Sequence, residues 1–238
     1  MIETVIIDNR FRGPPESGNG GYVCGLLGRH CPEGATVTLR KPPPLGVELA
    51  LTGHGAGHLR LQLGDELIAE AEPGSPQLEI PDPPEFDIAV EAAKGYVGFV
   101  DHHFSECFVC GTDRGQGDGL RIYAGPWKGR GMVAAPWVPD GSLADDQGRV
   151  RPEFLWAALD CPGYFALHTD RRPRLMLLGR FTAHAEPVIR SGERCVVLGW
   201  ALGEDGRKRF AGTALFSESG ALAGAARATW IALDRTLW

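Results

Sequence analysis

The plan of this 238-residue chain is written twice, and that repetition limits its folds more than any single motif does. In the first half, Glu3–Asp8 reads as a strand, and Ser17-Gly18-Asn19-Gly20-Gly21 then opens an apolar helix from Tyr22 to Cys31 that Pro32 and Gly34 end. Strand-like stretches follow at Thr36–Arg40, Val47–Thr52, His58–Leu63 and Glu66–Glu72, with Pro42–Pro44 and Gly46 as breaks and Gly64-Asp65 as a hairpin turn. The second half keeps the order. Gly119–Ala124 and Arg130–Trp137 supply early strands, and Pro152–Leu167 a helix with Phe154, Leu155, Ala158 and Leu159 at helical spacing. Strands follow at Leu178–His184 and Glu193–Leu202, then at Arg209–Ser217 and Ala221–Ala232, which pair across Ser219-Gly220.

A helix beside a long antiparallel sheet must bury its apolar stripe on that sheet. Two such units joined edge to edge hide their free edges and form a pseudo-twofold body. The expected class is therefore α+β: two fused repeats, each a long antiparallel sheet around a central helix. The expected repeats are residues 1–100 and 101–238, with the Pro- and Gly-rich stretch Pro73–Pro84 between the halves and Asp87–Val100 as a bridging helix or strand. A single β-sandwich is the competing fold, and the helix in each half disfavours it.

The net charge of -6 argues against a nucleic-acid partner, which needs a basic face to neutralise phosphates. The basic clusters Arg171-Arg172 and Arg207-Lys208-Arg209 read as solvated loop charge. No run of about 20 apolar residues points to a membrane. Nor does the acidic beginning MIETVIIDNR resemble a secretory leader, so a cytoplasmic protein with reduced thiols is expected.

Three stretches resemble the hotdog superfamily, specifically its thioesterase branch. Asn19-Gly20-Gly21 before an apolar helix is similar to the His-Gly-Gly helix start of phenylacetate-pathway-type acyl-CoA thioesterases, with Asn in place of His. Cys107-Phe108-Val109-Cys110-Gly111 followed by Gly117–Ile122 resembles the Cys-x-x-Cys-Gly opening of many small hotdog proteins. Phe154–Asp160 resembles the helix that carries a catalytic acid in those thioesterases. The resemblance implies a double hotdog that binds or hydrolyses acyl-CoA or another acyl thioester, with a homodimer as its plausible assembly and no cofactor. The pattern also departs from the family. Arg151-Pro152-Glu153 stands where the second half would need Gly-Gly, and Gly28 stands near the acid's position in the first half. Neither half carries both parts, so the halves have divided the labour or activity has been lost.

Thioester hydrolysis needs a polarised carbonyl and an activated water or nucleophile. The free N–H groups at Gly20 and Gly21 suit the first task, and Asp160, the only acid in the apolar part of the second helix, suits the second. Glu16 and Asn19 lie beside the first helix start as substrate-binding candidates. The resemblance adds Thr182 and His184, since strand polar groups position the attacking water in a related thioesterase type. Arg171, Arg172 and Arg180 are candidates for meeting CoA phosphates.

Cys107 and Cys110, with His102 or His103 just before them, have a spacing compatible with zinc. No second ligand pair follows nearby. A structural site would need Cys31, Cys161 or another distant residue, and buried reduced thiols without a metal are the expectation. Two alternative functions stand beside hydrolysis: a non-catalytic acyl-CoA or lipid-binding module, and an enoyl-CoA hydratase or dehydratase. The hydratase needs a His with a carboxylate, and only His30 and His168 lie near the central helices.

Overall fold

A computed structural model describes residues 2–53, 55, 57–168 and 174–233. Arg171, Arg172 and Trp238 therefore lie outside the described residues. The first half contributes β1 (Glu3–Ile6), α1 (Gly20–Gly28), β2 (Ala35–Leu39), β3 (Glu48–Gly53), β4 (Leu59–Leu63) and β5 (Glu66–Pro73). Next come α2 (Phe86–Ala93), β6 (Gly125–Trp127), β7 (Met132–Trp137), α3 (Pro152–Ala158) and α4 (Cys161–Ala166). The chain continues through β8 (Met176–Ala185), β9 (Cys195–Asp205), β10 (Lys208–Phe216) and β11 (Leu222–Ala232).

All eleven strands form one antiparallel sheet in the order β1-β3-β4-β5-β2-β8-β11-β10-β9-β7-β6. Read outward from the β2–β8 seam, the two sides have matching connectivity, so β2, β5, β4, β3 and β1 correspond to β8, β11, β10, β9 and β7. The seam itself is a short ladder pairing Thr36 with Thr182 and Val37 with Phe181. Tight turns set the register on both sides. Leu63 pairs with Glu66 around Gly64-Asp65, and Asp205 with Lys208 around Gly206-Arg207. Gly64 and Gly206 take the positive φ values, 57° and 56°, that such two-residue turns need.

Every residue of α1 from Gly21 to Gly28 is buried, so this helix has no solvent face and must be enclosed on all sides. The sheet covers one side and α3 the other. The contact with α3 depends on a glycine stripe at helical spacing. A Cβ at Gly21 would lie 2.4 Å from the Asp160 Cβ, one at Gly25 2.6 Å from the Glu153 Cα, and one at Gly28 2.4 Å from the Trp156 ring. The bridging segment forms a helix, α2, and Ala89 and Ala92 pack with Leu198, Trp200 and Phe216 in a second, smaller core. Leu78 and Ile80 of the preceding proline-rich stretch pack against the same core.

Two expectations are corrected. Gly119–Ala124 is not a strand: its Leu120 and Ile122 N–H groups donate to Phe108 and Val109 carbonyls at 2.8 and 2.9 Å, and Arg121 has φ 55°, which no extended strand accommodates. Pro152–Leu167 is two helices rather than one, because Pro162 has no N–H to continue the ladder and the chain turns at Leu159-Asp160. Gly25→Ala, whose methyl would meet α3 backbone, is expected to lower unfolding stability by about 1–3 kcal/mol in urea titrations. Gly115→Ala, with nothing within 4 Å, is expected to be nearly neutral.

Candidate functional site

The break between α3 and α4 turns the carboxylate of Asp160 toward the start of α1. Asn19 caps α1: its Oδ1 accepts the Tyr22 N–H at 2.9 Å. The same side chain's Nδ2 donates to Asp160 Oδ2 at 2.9 Å, and the Gly21 N–H donates to that oxygen at 2.9 Å. The missing Cβ of Gly21 is what allows this approach. Asp160 is only 2% exposed, and its other oxygen, Oδ1, is buried with no hydrogen-bond partner among the described residues. Burial pushes the carboxyl up to about 7, with the Gly21 and Asn19 hydrogen bonds pulling against it and the Cys107 sulfur adding to the rise.

Asp160, Asn19 and Gly20 line a cavity of about 280 Å³. Gly20 is the first residue of α1, and its N–H has no partner among the described residues. The opposite walls are apolar, formed by Leu39, Met176, Leu178, Phe165 and Ile231. Trp230 also lines the cavity, and its Nε1 is buried without a partner among the described residues. Arg40 and Lys41, both about half exposed, stand at the solvent side, where they pair with Glu70 and Glu66.

A cluster of three buried thiols adjoins the carboxylate. The sulfurs of Cys107, Cys110 and Cys161 lie within 4.8 Å of one another, those of Cys107 and Cys161 being 3.8 Å apart. Hydrogen bonds from the Cys110 and Cys161 thiols hold Cys107 well below the usual thiol range. Burial pushes Cys110 up, and the bond to Cys107 raises Cys161. Asn19 Nδ2 also reaches Cys107 Sγ, at 3.8 Å. His102 is not part of this cluster: its Nδ1 accepts the Phe104 N–H, so Nε2 carries the proton and donates to the Cys110 carbonyl at 3.1 Å. Cys31 is elsewhere, against the Gly57 carbonyl. Of the distant thiols considered from sequence, the fold brings Cys161 to the pair.

Asn19, Gly20, Gly21 and Asp160 thus converge, although Gly21 uses its N–H to hold Asp160 and, of the two glycines, Gly20 lines the cavity. Three other candidates lie elsewhere. Glu16 is in an exposed turn. Thr182 faces Thr36 across the seam at 2.9 Å, and His184 lies further along β8 opposite Ala225, neither of them lining the cavity. Both fall on strand positions whose side chains point away from α1. Arg180 pairs with Glu72 at 2.7 Å and also lies off the cavity. His30 is bonded to Glu3, and His168 accepts the Arg174 N–H. Arg40 and Lys41 are charged cavity residues that sequence reasoning missed.

The sequence matches no protein-family model and no curated protein. Solved structures match over nearly the whole chain. One from Novosphingobium aromaticivorans, itself only provisionally assigned as a thioesterase, superposes with a TM-score of 0.61 at 11% identity, covering 97% of this chain and 95% of that one. A hot dog fold protein of unknown function from Alicyclobacillus acidocaldarius gives 0.60 at 12% identity over 97% and 92% of the two chains. The tesB protein of Mycobacterium avium subspecies paratuberculosis gives 0.59 at 11% identity, with the same coverage. The chain therefore has a double-hotdog fold. Among the described residues, no helix is long and apolar enough to cross a membrane.

Asn19→Ala removes both the cap and a donor to a buried carboxylate, and is expected to cost about 2–4 kcal/mol in chemical denaturation. Asn19→Ser keeps a capping oxygen but no amide, and should recover only the capping share, about 1 kcal/mol.

Proposed function

We propose that the protein hydrolyses acyl thioesters, with Asp160 as the general base. The observation that carries this reading is the Asp160 carboxylate itself, which is buried, anchored through one oxygen to the start of α1, and has its other oxygen unpartnered beside an apolar cavity. The acyl group occupies the apolar walls and its carbonyl oxygen faces the Gly20 N–H. Asp160 Oδ1 takes a proton from water as the water oxygen attacks the carbonyl carbon. The resulting oxyanion accepts the Gly20 N–H, favoured by the positive end of α1. Collapse breaks the carbon–sulfur bond, and the proton on Asp160 passes to the departing thiolate, leaving a carboxylic acid and a thiol.

Acyl-CoA fits this reading because Arg40 and Lys41 at the solvent side supply cations for its phosphates. They replace Arg180, which lies off the cavity, in that role. A non-catalytic acyl-thioester-binding module is the second reading. It is favoured by one feature: Gly21 has committed its N–H to Asp160, which leaves a single helix-start donor for a carbonyl.

Release of free thiol from short, long and aromatic acyl-CoA esters is the direct measurement. Asp160→Asn is expected to reduce kcat by about 10²–10⁴-fold. Wild-type protein that releases no thiol, yet is thermally stabilised by a CoA ester, would show a binding module instead. The oxyanion donor has its own test. Proline is tolerated at the first position of a helix, and Asn19 already has the extended backbone (φ −59°, ψ 132°) that a following proline requires. Gly20→Pro removes the N–H, whereas Gly20→Ala adds a comparable Cβ and keeps it. A kcat about 10²–10³-fold lower in the proline variant than in the alanine variant is expected. Equal values would remove Gly20 from the mechanism.

A further inference from the structure

The thiol cluster is not used by the proposed hydrolysis. It joins two chain segments 54 residues apart, the Cys107–Cys110 turn and the first residue of α4, Cys161. All three side chains are buried and all six cysteines of the chain are free thiols. Four ligands at the usual zinc–sulfur length of about 2.3 Å around a tetrahedral centre lie about 3.8 Å from one another. The Cys107 and Cys161 sulfurs are 3.8 Å apart, and Cys110 completes a triangle within 4.8 Å. A disulfide would require about 2.05 Å.

Two further observations fit a ligand cluster. The Cys107–Cys110 turn is tight: the Gly111 N–H donates to the Cys107 carbonyl at 2.8 Å, and a Cβ on Gly111 would lie 2.5 Å from that carbonyl oxygen. The spacing that holds two sulfurs on one side of a turn thus depends on glycine at the next position. Asn19 Nδ2 is directed at Cys107 Sγ, an outer hydrogen bond of the kind that orients a metal-bound sulfur. All three cysteines also line the cavity that contains Asp160.

We propose that Cys107, Cys110 and Cys161 bind one zinc ion whose fourth position is open to the cavity and is filled there by water or a ligand. Soft thiolates select zinc among the common divalent ions, and three protein ligands with an open position are the usual arrangement of a reactive rather than a sealed site. Bound zinc ties the Cys107–Cys110 turn to the start of α4, the residue after Asp160, and so stiffens the carboxylate's support. The proposal does not rest on hydrolysis, because its readout is metal content.

The test uses the full chain purified under reducing conditions, stripped with chelator, and reloaded with zinc alone or cobalt alone. Elemental analysis after gel filtration is expected to find one zinc per chain. The cobalt form is expected to show near-ultraviolet thiolate-to-metal charge transfer together with the strong visible bands of four-coordinate cobalt. Cys161→Ser and Cys110→Ala should each abolish retention, Cys195→Ala should leave it intact, and Asn19→Ala should weaken zinc binding by about 10–100-fold. Absence of both retained zinc and the charge-transfer band in the wild-type chain overturns the site, whatever the variants do. So does full retention in a folded Cys161→Ser protein.

Discussion

The approach of α1 to α3 is the constraint on which the rest of the molecule depends. Two helices whose facing residues were ordinary would stand 8–10 Å apart and leave the α1 start beyond the reach of a short side chain on the other helix. Glycine at 21, 25 and 28 removes the side chains that would hold them apart, and backbone and Trp156 of the partner helix fill the space. The interval matters as much as the residue type: four and then three residues place all three glycines on one face. Once the helices are that close, a single aspartate just past the end of α3 reaches the first N–H groups of α1.

That reach solves an electrostatic problem. A carboxylate taken wholly out of water is costly unless hydrogen bonds replace its hydration. Asp160 receives two at one oxygen, from a backbone amide at the positive end of a helix and from an asparagine amide already fixed by capping the same helix. Asn19 is therefore oriented by the fold before it meets the carboxylate, so little side-chain freedom is lost in making the contact. The opposite oxygen is left unmatched. A buried acceptor with no partner is a local cost that a well-packed core would remove, and its presence beside a cavity is what a site for a donor-bearing ligand or water looks like.

The strands were legible because alternation and two-residue turns are local signals: Gly64-Asp65 announces its hairpin without any long-range information. The helix start of α1 and the apolar spacing of α3 were legible for the same reason, while the separate helix α4 was read as part of α3. Gly119–Ala124 was not, since its alternating apolar residues serve a loop packed on Phe108 and Val109, and only the backbone reveals the positive φ at Arg121. Within the site, Asp160 could be found as an acid isolated among apolar residues, and Asn19 and the glycines as a helix start. Thr182 and His184 could not be discarded, because a strand position known to a residue or two leaves the face undecided, and a shift of one residue turns the side chain over. Cys161 lies too far along the chain for any spacing rule to join it to Cys107 and Cys110. Arg40 and Lys41 reach the cavity only because β2 lies at the seam between the two sides of the sheet.

The pseudo-symmetry of the sheet invites a second site at the start of α3, and the residues there exclude it. Pro152 occupies the first turn without an N–H to offer, and Glu153, where a glycine would be needed, is buried between Arg29 and Arg151 at 3.9 and 3.7 Å. On the facing helix, Gly28 stands near the place an acid would take, and the Trp156 ring closes over it. The second position is filled by packing and an ion cluster. The helix start of one half and the acid of the other meet at the first position. The acid that meets the start of α1 comes from the chain just past the helix packed against it, so the two sides of the sheet build the first position together.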